Sequence, residues 1–310
     1  MTAPITIALS FFLLCIGRPA LSQVHIFGEG IISTGDYETH PAFSPSGDTL
    51  YFLKGLPDAN FFSICVSFKK NGQWTMPQIA PFSGQYTDAD PFVTKDGKTV
   101  YFVSNRPVHE GGPVRADWDI WKTEITGSSW GKPVHLDSTI NSSASEYFPT
   151  IADNGNLYFG SGRSGGKGRS DIYVAKWIDG KYARPENLGD SINTADNEYE
   201  PYIAPDESYL ILMTTYPNGL ANADFYISRR INGVWGKTLR LSWPINSPAT
   251  EWGGKVTRDG KHFFFGSSRN KVDNMLPGRE DIHTFDHRIH SVGNGLGDIY
   301  YVEWPLRVSR

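Results

Sequence analysis

The stretch Glu146-Tyr147-Phe148-Pro149-Thr150-Ile151-Ala152-Asp153-Asn154-Gly155-Asn156-Leu157-Tyr158-Phe159 decides the fold. An acid opens it, a proline stands three positions later, and a short apolar run leads to Asp153-Asn154-Gly155. Asn-Gly between two apolar runs is a hairpin signal. A third run begins beyond a glycine-rich loop, at Asp171-Ile172-Tyr173. The stretch therefore predicts three successive antiparallel strands.

The same opening recurs at Glu38-Thr39-His40-Pro41, Asp88-Ala89-Asp90-Pro91, Glu198-Tyr199-Glu200-Pro201 and Glu251-Trp252-Gly253-Gly254. Its fourth residues fall at 41, 91, 149, 201 and 254, giving periods of 50, 58, 52 and 53. Turns follow each copy at Ser44-Pro45-Ser46-Gly47, Lys95-Asp96-Gly97, Pro205-Asp206-Glu207 and Arg258-Asp259-Gly260. Second strands then read Leu50-Tyr51-Phe52, Val100-Tyr101-Phe102, Leu210-Ile211-Leu212 and Phe263-Phe264-Phe265. Third strands open on Asp119, Asp171, Asp224 and Asp298, and a fourth follows near Trp74, Trp130, Tyr182 and Trp235. Four antiparallel strands repeated at this period predict an all-β chain, a five-bladed β-propeller.

The ends predict how the ring closes. The fifth copy stops after its third strand, at Glu303-Trp304-Pro305. Ile32-Ser33 stands where Ile140-Asn141, Ile192-Asn193 and Ile245-Asn246 stand in other copies. The segment before copy one should thus supply the missing outer strand and remove an exposed sheet edge.

Residues 1–22 read as a cleavable signal peptide. Ile5 to Ile16 is apolar except for Ser10, and Ala20-Leu21-Ser22 forms a small-residue cleavage site. That run is too short to span a bilayer, and no other segment is long and apolar enough. Leu14 before Cys15 is bulkier than a lipidation site uses, so the expectation is export to the periplasm or beyond, with residues 23–310 as one propeller domain. Cys65 then stands alone, and the sequence reads it as a buried strand residue.

The pattern E-Y-x-P-x-x-x-x-D-G-x-x-x-Y-F-x-S-x-R…D-I-Y, clearest over Glu146–Tyr173, resembles the TolB-like (WD-repeat-like) β-propeller family of exported bacterial proteins. The resemblance covers nearly all of the chain after residue 22. That family holds binding platforms, peptidase gatekeepers and a few lyases, so the resemblance implies the fold and carries no activity over. The best-known members carry six blades and an added N-terminal domain, both of which this chain lacks.

Twenty-nine basic and 33 acidic residues give a net charge of −4, which argues against a nucleic-acid partner. Propeller geometry places the repeated acids Glu38, Asp88, Glu146, Glu198 and Glu251 near one mouth of the channel. Arg106, Arg163 and Arg269 end second strands on the same rim. The acids could gather a Ca²⁺ in the channel or bind a polar ligand together with the arginines and Trp118. They could equally serve blade packing, as positions repeated in every unit do.

Symmetry breaks most in the blade-five insertion, Asn270 to Gly297, where His283, His287 and His290 fall at one-face helical spacing beside Asp281 and Asp286. Such a set could hold Zn²⁺ or Mn²⁺, or be plain surface. With no nucleophile–base set visible, the sequence favours a non-catalytic recognition module for a glycan, peptide or protein. The alternative is a glycoside hydrolase or lyase using carboxylates at the channel mouth.

Overall fold

The computed structural model describes residues 23–56, 61–215, 223–272 and 278–304. The leader assigned to residues 1–22, Cys15 and part of the blade-five insertion lie outside the described residues. Each of the five repeats folds as an antiparallel blade. The innermost strands are Tyr37–Phe43, Asp88–Val93, Glu146–Ile151, Glu198–Ile203 and Glu251–Val256. Each pairs with the second strand of its copy, which pairs with the third.

The fourth strand is broken rather than continuous. In blade two, Ser129–Trp130 and Val134–His135 both pair with the strand Asp119–Thr126. Blades one and four repeat this arrangement. The aromatic–proline signal thus marks a break in the strand, which blade four keeps with Thr238 in the proline position. In blade five the outer strand is His25–Ile26, paired antiparallel with Asp298–Glu303, so the N-terminal segment closes the ring.

The Ile-Asn signature has a physical role. Asn141 Oδ1 accepts from the Ile120 amide at 2.8 Å, and its Nδ2 donates to the Ile120 carbonyl at 3.0 Å. Asn193 and Asn246 hold Ile172 and Phe225 in the same way. Each side chain imitates a strand neighbour for a buried backbone amide, the carbonyl beside it also accepting the Leu136, Leu188 or Leu241 amide. In blade five Ser33 replaces asparagine, its hydroxyl accepting from the Ile299 amide at 3.0 Å.

All five innermost strands share an irregularity that sequence patterning did not expose. Their register slips after the second residue of each opening. The third residues, His40, Asp90, Phe148, Glu200 and Gly253, all take φ between 49° and 63°. Side chains are rarely accepted in this left-handed region, and strained backbone of this kind concentrates where function or packing fixes it.

Candidate functional site: the channel centre and the rim groove

The slipped third residues form a ring of side chains around the channel. His40 Nε2 lies 3.1 Å from Glu200 Oε1 and 3.5 Å from Asp90 Oδ1. The second oxygen of each carboxylate accepts a backbone N–H from the following blade. Asp90 Oδ2 takes Phe148 N at 3.0 Å, and Glu200 Oε2 takes Gly253 N at 2.6 Å. Gly253 is required here, since a Cβ would stand 2.5 Å from His40 Cα.

Lys255 completes the cluster. It is 7% exposed, and its Nζ has no hydrogen-bond partner among the described residues and lies 4.1 Å from the centre of the Phe148 ring. Burial pushes its ammonium down to about 8, with Asp90 and Glu200 pulling it back up. Burial raises the Asp90 carboxyl, opposed first by the positive field of His40. A cavity of about 60 Å³ lies beyond Lys255, lined also by Ala42, Phe92, Tyr202, Lys95 and Arg258. Arg258 of blade five reaches Asp153 of blade three with two bonds of 2.6 and 2.7 Å. Those blades are not neighbours, so this pair ties across the hairpin-side mouth.

The first-position acids are placed differently from this ring. Glu38, Asp88, Glu146, Glu198 and Glu251 are fully buried, each accepting from a hydroxyl in the segment that leaves the preceding blade, at Thr34, Ser83, Ser142, Thr194 and Ser247. Glu146 accepts from Ser142 N, Ser142 Oγ, Ser161 Oγ and Arg163 Nη2 at 2.8, 2.6, 2.7 and 3.1 Å. Glu38 accepts from Thr34 and Lys54, and Glu198 from Thr194. Asp88 pairs with Arg106 at 2.6 Å and Glu251 with Arg269 at 3.3 Å. Burial lifts the carboxyls of both Asp88 and Glu251.

The three arginines are likewise committed, lying over Phe102, Phe159 and Phe265 at 4.9, 5.0 and 5.2 Å. Trp118 is half-buried against the core, and its carbonyl accepts the Glu146 amide. The acids and arginines come together in pairs at the seams between blades, since Arg106, Arg163 and Arg269 also donate to the Phe82, Ile140 and Ile245 carbonyls of the preceding blade.

The histidines of the insertion do sit at a helix, Ile282–Ile289, capped by Asp281. His283 and His287 lie within it and His290 caps its end, its ring Nδ1 turned to the Asp286 carbonyl at 2.8 Å. Among the described residues no group of three or more His, Cys, Asp or Glu side chains is arranged to hold a metal ion, at this helix or in the channel.

On the loop rim a groove of about 880 Å³ is lined by Gln23, Trp243, Ser247, Arg269, Asn270 and Lys271, among others. Trp243 is 59% exposed, and the Arg269 guanidinium lies 5.6 Å from its ring. A signal for it stands in the sequence. Before Ile140-Asn141 and Ile192-Asn193 the matching positions hold Ser138-Thr139 and Asp190-Ser191, whereas blade four has Trp243-Pro244.

No protein-family model and no curated protein matches the chain. Solved structures do. An α-L-arabinofuranosidase from Lactobacillus brevis aligns with TM-score 0.53 and 12% identity, over 89% of this chain and 92% of that one. A thermostable family-43 glycoside hydrolase aligns with TM-score 0.52 and 13% identity, over 91% and 96%. At such identity the likeness shows a common propeller fold. No helix among the described residues is long and apolar enough to cross a membrane.

Proposed function

We propose that the protein is an exported, TolB-like recognition module that binds a glycan in the rim groove, without chemistry at the channel centre. The observation that carries this reading is Trp243, a large indole left in solvent where equivalent loops hold small polar residues. Exposed indoles present a flat apolar face with a polar edge, suited to the C–H face of a sugar ring. Ser247, Asn270, Gln23 and Lys271 beside it offer the hydroxyl and amide partners that a polyol needs. The channel ring supports binding over hydrolysis, because both oxygens of Asp90 and of Glu200 are already engaged. A general acid or base needs an oxygen within reach of the reacting group.

A second reading rests on one specific observation. Asp90 and Glu200 meet at a single imidazole nitrogen, so their carboxylates stand within about 7 Å of each other, near the range two-carboxylate glycoside hydrolysis uses. Glycan-array binding followed by titration with the best ligand tests the first reading. Trp243→Ala should weaken binding tenfold or more, as loss of an aromatic anchor does. Unchanged affinity in that variant would remove the groove from the account. Turnover of arabinosyl chromogenic substrates, abolished in Asp90→Asn and Glu200→Gln, would favour hydrolysis instead.

A further inference from the structure

Four blades carry an aspartate at the start of the third strand, and three of them answer it from the fourth strand. His135, Asn187 and Arg240 hold one register, opposite Trp121, Tyr173 and Tyr226. They reach Asp119, Asp171 and Asp224 at 2.7, 2.7 and 2.9 Å. In blade five the closing N-terminal strand puts Ile26 in that register, opposite Tyr300. Asp298 therefore lacks the polar partner that its counterparts have.

Asp119 also leaves its Oδ1 without a hydrogen-bond partner among the described residues, but its Oδ2 faces His135 and Arg115, whereas Asp298 meets only a backbone amide. Asp298 is 1% exposed; Oδ2 accepts the Gly293 amide at 2.9 Å, while Oδ1 has no hydrogen-bond partner among the described residues. The charged and titratable groups around it are Glu38 from the innermost strand of blade one, Glu29 from the N-terminal segment, Lys271 from the insertion and Tyr300 from its own strand. Burial pushes the carboxyl up to about 7, aided by Glu38 and Glu29 and opposed by the Gly293 N–H and Lys271.

Gly293 connects this carboxyl to the rim groove. Its carbonyl accepts the Lys271 amide at 2.8 Å, and Lys271 follows Arg269 and Asn270 along the groove wall. We propose that Asp298 is a pH-sensitive pin for that wall. Ionised, it grips the Gly293 amide with a charge-assisted bond and fixes Lys271. Protonated, it offers only a neutral acceptor, roughly half as strong, and the wall loosens. The functional consequence rests on the groove being the ligand site; the pin itself does not.

The test follows the Gly293 and Lys271 amide resonances of isotope-labelled protein over roughly two pH units either side of neutrality. Both should titrate with one shared midpoint, with Lys271 amide protection, relative to intrinsic exchange at each pH, lower below it. In Asp298→Asn both should be flat. Titration persisting unchanged in Asp298→Asn, or absent from the unmodified protein, overturns the proposal. Should that variant fail to fold, the side-chain carboxyl resonance of Asp298 in the unmodified protein decides, since a midpoint in the ordinary carboxylate range also overturns it. A groove that binds no glycan at any pH would leave the amide titration in place, so the two readings fail separately.

Discussion

At the scale of single residues, the acids that open each repeat act as internal fasteners. Glu146 receives two hydroxyls, one amide and one guanidinium with no exposure, so an amide in its place would turn a donor toward donors. Glu146→Gln should cost ~2 kcal/mol or more in urea unfolding. A loss below ~0.5 kcal/mol, the scale of an ordinary surface change, would contradict that role. Asp298 predicts a pH effect of definite sign. Its carboxyl is raised in the folded state from 3.8 to about 7, so the folded protein binds its proton more tightly than the unfolded chain does. This group's stabilising contribution is complete below the lower value, declines as pH rises between the two, and is gone above about 7. Asp298→Asn should therefore unfold at higher temperature than the unmodified protein at pH 8, and the difference should shrink toward pH 4. A difference that grows toward acid would refute this sign.

At the scale of elements, the closing strand is short, yet it is joined by Phe27 N to the Ile299 carbonyl and by Ser33 to Ile299. Phe27 also packs edge-on against Phe264 and Trp74, so the N-terminal segment bridges blades five and one. Removing residues 23–34 should lower the melting temperature by several degrees or make the protein insoluble, because it bares the edge of Asp298–Glu303. Unchanged melting would show that the ring does not depend on this strand. Asn246→Ala should cost about 1–3 kcal/mol, since it orphans the buried amide of Phe225, whose carbonyl keeps the Leu241 amide. The strands and the closure were legible because hairpin turns and Ile-Asn pairs repeat at a fixed period. The bulge was not. Its left-handed residue is His40, Asp90, Phe148, Glu200 or Gly253, a position with no shared residue type, and the strain is imposed by channel packing rather than local propensity.

At the scale of the whole molecule, the same asymmetry explains what the sequence could say about the site. Constant positions such as Glu198 and Arg163 drew attention, and the structure gives them bonds to Thr194 and Ile140 of the preceding blades. Variable positions converge only once five blades surround one axis, which brings His40, Asp90 and Glu200 together from residues 160 apart. Trp243 was legible in principle as the indole where two sister loops carry Ser138 and Asp190. On the proposed reading the rim groove, not the channel centre, takes the ligand.

The most direct test is calorimetric titration with an array-selected oligosaccharide, the ligand being recovered afterwards and checked for new reducing ends. Unmodified protein and the Asp90→Asn/Glu200→Gln variant should bind it alike, Trp243→Ala should bind it at least tenfold more weakly, and the oligosaccharide should come back intact. Cleavage by the unmodified protein that disappears in Asp90→Asn/Glu200→Gln, with Trp243→Ala binding normally, would contradict the account.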